Sequence, residues 1–389
     1  MTPKKISRED IREMVRQATI VHDSVRAEML APHPRKIAPR FTATQIAEIV
    51  GIDRAKLDNK LRSPQFPIGQ IADGKRRRTF DLSETREIVD RLAAFPKREP
   101  GTPGFTMACV NFKGGSTKTS TVFNLAQGLA LRGRKVLLID LDPQASASTL
   151  TGLMPHTELS EADTAGMLYA MDAASGEPDL NYAIRKTYWD GLDIVPSCGS
   201  LNSAELILPQ MAANPKRDWW NVLNLALETH RLEYDYILLD TAPSLSYLAV
   251  NAAYASDGLL MPLPPEQLDF SAALVFWDMV LELMDSIYAA RAVEKEFKFI
   301  GVVLSKVTTR PVSVMMKGFI QRAFTQYVVT TEIPASEANT ISGLTFGTIH
   351  DLVDDDGVAR ATTKLRQGFD RLVELVDSSA VAGNWGAQA

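Results

Sequence analysis

Cysteine is nearly missing from this chain of 389 residues, with Cys109 and Cys198 the only two. A pair so far apart provides neither a disulfide framework nor the ligand spacing of a zinc site. Long apolar runs are also missing: no stretch approaches the roughly 18 uninterrupted apolar residues that a spanning helix needs. The opening Met1-Thr2-Pro3-Lys4-Lys5 continues into polar residues and lacks the apolar segment of a signal peptide. Together these absences predict a cytoplasmic protein with no membrane span. A hydrophobic content of 45% gives enough apolar material for a sizeable core in two or three domains.

What is present centres on Asn111-Phe112-Lys113-Gly114-Gly115-Ser116-Thr117-Lys118-Thr119-Ser120. The ordinary phosphate-loop pattern G-x-x-x-x-G-K-[ST] asks for glycine at 112 and 117, where this chain has Phe112 and Thr117. The chemistry survives the change. Gly114 and Gly115 let backbone N–H groups turn toward an anion, Lys118 can reach the β- and γ-phosphates, and the Thr119 hydroxyl can bind Mg²⁺. Thr106–Val110 reads as a buried strand entering the loop, and Ser120–Leu131 as a helix leaving it.

Two further apolar runs end in carboxylates. Lys135–Ile139 closes on Asp140-Leu141-Asp142-Pro143, and Tyr236–Leu239 closes on Asp240-Thr241-Ala242-Pro243. Ligands of open α/β sheets bind at such carboxyl ends. An aspartate after an apolar strand also has the form of a carboxylate that sits near Mg²⁺ in a phosphate-loop enzyme.

In Lys113–Thr119, Leu138–Ala145 and Leu238–Pro243 the chain resembles the deviant Walker A ATPases that segregate plasmids and chromosomes, the ParA/Soj/MinD group. The resemblance covers roughly residues 100–380. Within it, Ala183–Ser197 is similar to the partition proteins called RepA in repABC replicons of alphaproteobacteria. The resemblance implies a mostly parallel α/β sheet flanked by helices, an ATP and ADP site with Mg²⁺, and weak ATPase activity. It implies that residues 113–120 cradle the phosphates and that Lys113 reaches the nucleotide of a partner subunit, making a homodimer. It also implies that Asp142 orients the attacking water, that Thr119, Asp140 and Asp240 lie on the metal side, and that Pro334 lines the adenine pocket. A centromere-binding protein of the ParB/RepB kind, non-specific DNA and a nucleoid-associated location follow from the same likeness. Smaller members place an arginine just after the Ile-Pro, where this chain has Ala335-Ser336-Glu337-Ala338.

The net charge of −5 hides an asymmetry. Residues 1–100 carry 21 Lys and Arg against 14 Asp and Glu, and the remainder 21 against 33. A basic module ahead of an acidic core suggests nucleic acid as a partner, although a solvated face gives the same count. Thr42–Leu57 reads as a capped helix, a turn at Gly51 and a second helix bearing Arg54, Lys56 and Lys60. Asp73-Gly74 marks a hairpin with Lys75, Arg76, Arg77 and Arg78 beside its turn. The combined expectation is an α-rich winged helix-turn-helix that binds operator DNA, the wing on phosphates and the second helix toward the major groove.

The expected domains are an amphipathic helix (1–35), a candidate for dimerisation, the winged module (36–95), a linker (96–104), the ATPase (105–380) and a tail (381–389). Lys306, Arg310, Lys317 and Arg322, or Arg360, Lys364 and Arg366, are candidates for a second DNA surface on the core. A basic amphipathic C-terminal helix of the MinD kind is not expected, because no basic residue follows Arg371. A cluster-dependent reductase of the same fold lacks its cysteines here. The remaining alternative is a nucleotide-switched transcriptional repressor with no transport role.

Overall fold

The computed structural model describes residues 6–385 apart from 31, 32, 34, 72–76, 176, 177, 245, 337–346 and 353–358. The chain opens with helix α1 (Arg8–Leu30). A small module follows, built from β1 (Phe41–Thr42), α2 (Ala43–Val50), α3 (Arg54–Lys60), β2 (Gln70–Ile71), β3 (Arg78–Phe80) and α4 (Leu82–Arg91). Local sequence explains the boundaries. Thr42 and Gln45 close a capping box at the start of α2, and Gly51 ends that helix at φ 68°. Asp53 caps α3, and Asp81 with Glu84 closes a second box on α4. Each such cap stabilises its helix by about 1 kcal/mol. The three short strands form an antiparallel sheet in the order β1-β3-β2.

The large sheet comprises β4 (Phe105–Cys109), β5 (Val136–Leu141), β6 (Arg185–Lys186), β7 (Leu192–Val195), β8 (Tyr236–Thr241), β9 (Gly258–Leu263), β10 (Phe299–Val307) and β11 (Val328–Pro334). Their order is β11-β10-β9-β4-β8-β5-β7-β6, parallel throughout except for β6. Strands covered on both faces read as unbroken apolar runs, and every residue of β4, β5, β8 and β9 is buried. Helix α5 (Lys118–Leu131) is buried almost all round, not on one face, because the sheet, α4 and the C-terminal helix Ala359–Asn384 all pack on it. At Gly128 an added Cβ would lie 2.4 Å from Val373, so the two helices approach closely there.

Three expected boundaries look different in three dimensions. Residues 41–88 contribute to the same apolar core as the large sheet, with Phe41 packed edge-on against Trp189 at 6.2 Å. The stretch 96–104 is tied down rather than loose: Arg98 donates to Asp235 at 2.9 Å and to the Arg231 carbonyl at 3.2 Å. The last helix runs to Asn384 and is followed by Trp385, which is buried against Tyr236 and Arg134, so the structured part extends past 380. Among the described residues no helix is long and apolar enough to cross a membrane.

Candidate nucleotide site

The loop after β4 lies at the carboxyl edge of the sheet, beside the ends of β5 and β8. Asn111 braces it, donating to the Pro262 carbonyl and accepting from the Lys113 amide, both at 2.9 Å. Phe112 stands where an ordinary loop has glycine, and its ring meets Phe276 edge-on at 5.1 Å. The bulky residue thus anchors the loop to helix Gln267–Arg291. Gly115 has φ 77° and Thr117 has φ 76°. Thr117 therefore adopts the left-handed conformation that the expected glycine would favour, at a cost of about 1–3 kcal/mol. Ser116 Oγ is buried with no hydrogen-bond partner. Thr119 and Ser120 follow in the first turn of α5, half-buried, where helix N–H groups carry partial positive charge.

Beneath the loop, Cys109, Asp240 and Asp140 stand side by side on β4, β8 and β5. Asp140 is fully engaged: Oδ2 accepts from the Ser148 amide at 2.9 Å and its hydroxyl at 2.7 Å, and Oδ1 accepts from the Asp142 amide at 3.2 Å. Burial nonetheless pushes its carboxyl up to about 7. Asp240 differs, since both of its oxygens are buried without a hydrogen-bond partner. The Thr119 hydroxyl is near enough to favour the charged form, but not in the geometry of a full hydrogen bond. Burial, then Asp140, raise Asp240 well above the carboxylate range. Lys118 is 6% exposed and is lowered by burial, against the pull of Cys109, Asp240 and Asp142. Its Nζ donates weakly to the Lys113 carbonyl at 3.4 Å. Asp142 is held in a turn by the Gln144 amide at 2.9 Å, and Ala145 at φ 55° starts the next helix.

A buried carboxylate without a donor, next to a lysine and a threonine hydroxyl, fits a hydrated divalent cation bound together with phosphate oxygens. The loop above, with two left-handed residues alternating and an unpaired serine hydroxyl, fits the phosphates themselves. Pro334 ends β11 opposite Val307, on the same edge of the sheet.

A family model described as "AAA domain" matches residues 105–290, the span holding the loop and both aspartate strands. The chromosome partitioning protein ParA of Caulobacter vibrioides is 36% identical over 207 residues, 52% of this chain and 70% of its own. The chain belongs to the ParA family. A Sinorhizobium fredii protein provisionally named replication protein A is 28% identical over 372 residues, 92% of this chain and 90% of its own. A solved structure named "Partition Protein" superposes with a TM-score of 0.64 over 95% of this chain and 98% of its own at 17% identity. That likeness extends the shared ParA fold through the N-terminal module. In family and fold the chain is a ParA-like partition ATPase.

Elsewhere the structure gathers some expected residues and separates others. Arg54, Arg77 and Arg78 line one cleft of about 690 Å³ in the N-terminal module, together with Arg62, which the sequence reading missed. Arg54 is already paired with Asp58 one turn along α3. Lys56 and Lys60 are exposed on α3 outside that cleft. Lys75, Arg76 and the Asp73-Gly74 turn lie outside the described residues. Of the candidates for a DNA surface on the core, Lys317 is paired with Glu332, Arg366 caps the Leu352 carbonyl at 2.7 Å and Lys306 bonds the phosphate loop. Arg310 and Lys364 are exposed. The partners of Ser148, Asn111 and Phe276 also escaped sequence reading; only the fold reveals which aspartate, amide or ring each one meets.

Proposed function

We propose that this ParA-family chain binds ATP with Mg²⁺ at residues 113–120, hydrolyses it slowly, and uses the cycle to control dimerisation and DNA occupancy during plasmid segregation. The observation that carries the reading is Asp240, a buried carboxylate with no donor, set below a loop shaped for phosphates. Bound Mg²⁺ would supply charge neutralisation on the β- and γ-phosphates. Thr119 and Asp240 would hold it, Asp240 through water; Asp140 serves more as a brace, since its oxygens are committed to Ser148 and the Asp142 amide. Lys118 neutralises charge on the γ-phosphate, and its burial strengthens that contact. Asp142, held by its turn, orients the attacking water. Lys113 reaches across to the nucleotide of a second subunit, and Pro334 borders the base.

Exposed apolar residues along α1, Met14 at 63% and Val21 at 61% among them, support a role for α1 in pairing two copies. The cleft formed by Arg54, Arg62, Arg77 and Arg78 supports operator binding by a winged helix-turn-helix, and hence autorepression. A ParB/RepB-like partner and non-specific DNA would stimulate hydrolysis. A repressor switched by nucleotide, without transport, is favoured by one observation of its own: α4 of the N-terminal module sits directly on the end of α5.

The test is ATP hydrolysis by the full chain, with and without non-specific DNA and the cognate partner, alongside Lys118→Ala and Asp142→Ala. Stimulation by both, lost in both variants, is expected. Hydrolysis indifferent to DNA and partner sinks the segregation reading and leaves the repressor.

A further inference from the structure

The end of β10 grips the phosphate loop. Lys306 Nζ donates to the Gly115 carbonyl at 2.6 Å, and Ser305 Oγ donates to the Ser116 carbonyl at 3.2 Å. Neighbouring residues of one strand thus hold neighbouring carbonyls of the loop. Direction matters here, because a carbonyl oxygen facing the phosphates would repel them, whereas one held toward β10 leaves the N–H groups free for the anion.

The backbone of Lys306 is unusual. It has φ 51°, a left-handed value rare for a residue with a side chain, and it falls where the pairing of β10 with β11 shifts between Leu304 and Val307. Such strain persists only where surrounding contacts over-determine the conformation, and it concentrates at functional sites. Ser305 is fully buried, while the Lys306 side chain is exposed and its ammonium reaches back onto the loop.

Asp269 adds an independent observation. It is 4% exposed, in the first turn of helix Gln267–Arg291, seven residues before the Phe276 that holds Phe112. That spacing puts 269 and 276 on one helix face, and so sets the carboxylate beside the loop. Burial and Glu266 raise its pKa, while Lys113 and Lys306 oppose the rise. Both lysines are thus near enough to favour the charged form of this buried carboxylate.

We propose that Lys306 is a positioning residue of the nucleotide site, which keeps the loop open to phosphate by holding the Gly115 carbonyl, and that it is not part of a DNA-binding surface. The inference rests on the ATPase reading above. It assigns to Lys306 control of nucleotide affinity, with no direct part in the hydrolytic step.

The experiment compares the full-length wild type with Lys306→Met and Lys306→Arg. Three quantities are read with Mg²⁺ present: affinity for a fluorescent non-hydrolysable ATP analogue, KM and kcat for ATP, and DNA binding at saturating nucleotide over a salt series. Lys306→Met is expected to weaken analogue binding and raise KM by about tenfold, with kcat within about twofold of wild type. Arginine should restore most of the affinity, and the salt dependence of DNA binding should be unchanged in both variants. Analogue affinity unchanged in Lys306→Met overturns the proposal, as does a loss that arginine does not restore. A DNA affinity whose log–log salt slope falls by about one phosphate contact also overturns it, and returns Lys306 to a DNA surface. Wild type that binds no analogue overturns the ATPase reading and this inference together; wild type that binds while Lys306→Met is unaffected overturns this inference alone.

Discussion

Asp140 and Asp240 stand opposite each other on adjacent parallel strands, at the same rung of β5 and β8, and both are fully buried. Two carboxylates so placed cannot both ionise cheaply. Asp140 moves from an ordinary 3.8 to about 7, with burial the first cause, and Asp240 also moves up. A carboxyl whose folded pKa is raised lowers stability as pH climbs above its unfolded value near 4, because the unfolded chain ionises first; for Asp140 the loss levels off above about 7. Asp240→Asn removes one of the two titrating carboxyls. The ligand-free variant should therefore be more stable than wild type at pH 8, with the gap shrinking toward pH 5. Urea denaturation at both pH values reads this directly, and a gap independent of pH would refute the raised pKa of Asp240. The same variant should lose Mg²⁺-dependent hydrolysis.

Thr117 invites the reverse of the usual expectation for a loop mutation. Its φ of 76° is comfortable for glycine and strained for a β-branched residue, and among the described residues its side chain makes one long hydrogen bond, to Thr121 Oγ1 at 3.4 Å. Replacing it by glycine relieves about 1–3 kcal/mol of strain and loses about 1 kcal/mol to the greater freedom of the unfolded chain. Thr117→Gly should leave stability unchanged or raise it by up to about 2 kcal/mol, with nucleotide binding retained. A drop in melting temperature of several degrees would mean that the threonine side chain does something its contacts do not reveal.

Much of this was legible in the sequence, and for identifiable reasons. β5 and β8 are apolar runs closing on Asp140 and Asp240, a pattern that only a doubly covered parallel strand satisfies well. Thr42, Gly51, Asp81 and Glu84 mark helix ends through local hydrogen bonds that need no tertiary context. What stayed hidden depends on partners distant in sequence. Phe112 reads as a lost glycine until Phe276, 164 positions away, is found against it. Lys306 reads as a surface cation until Gly115 lies under its ammonium. The boundary at 96–104 has the composition of a linker, yet Arg98 is pinned to Asp235 across 137 positions. Periodicity reports which face of an element is buried; it cannot report against what.

The C-terminal helix is locked to the sheet by a buried charge cluster. Asp377 accepts from Arg134 Nε at 2.9 Å and Nη2 at 3.0 Å, and from the Tyr236 hydroxyl at 2.9 Å, while the Trp385 ring lies 4.8 Å from the Arg134 guanidinium. Removing one partner leaves the other charge buried and unpaired, at a cost of about 3–5 kcal/mol. Asp377→Ala should lower the unfolding free energy read by urea denaturation by that amount. Arg132 contacts the same carboxylate at 3.4 Å and is less buried, so Arg132→Ala should cost about 1 kcal/mol or less. Equal losses in the two variants would show that the cluster is not organised around the Arg134 pair.

The N-terminal module touches the nucleotide machinery through Arg86 of α4. Its Nε donates to the Ala130 carbonyl at 2.9 Å, in the last turn of α5, and its Nη2 to the Arg134 carbonyl at 3.2 Å, just beyond that helix, while Nη1 meets Asp190 at 2.7 Å. A cation at this end of the helix complements its dipole, and the other end of α5 carries Lys118 and Thr119. Any shift of α5 on nucleotide binding is therefore felt directly by α4. Arg86→Ala keeps the residues of the arginine-lined cleft but removes this contact. Operator affinity without nucleotide should stay within about threefold of wild type, while the change produced by ATP, expected at about 5–150-fold for a coupled pair of sites, should fall toward none. Fluorescence anisotropy with labelled operator DNA, with and without a non-hydrolysable ATP analogue, measures both quantities. An ATP effect as large in Arg86→Ala as in wild type would mean that the signal travels another way, the Lys36 link to the Leu150 carbonyl and Asp351 being the next to test.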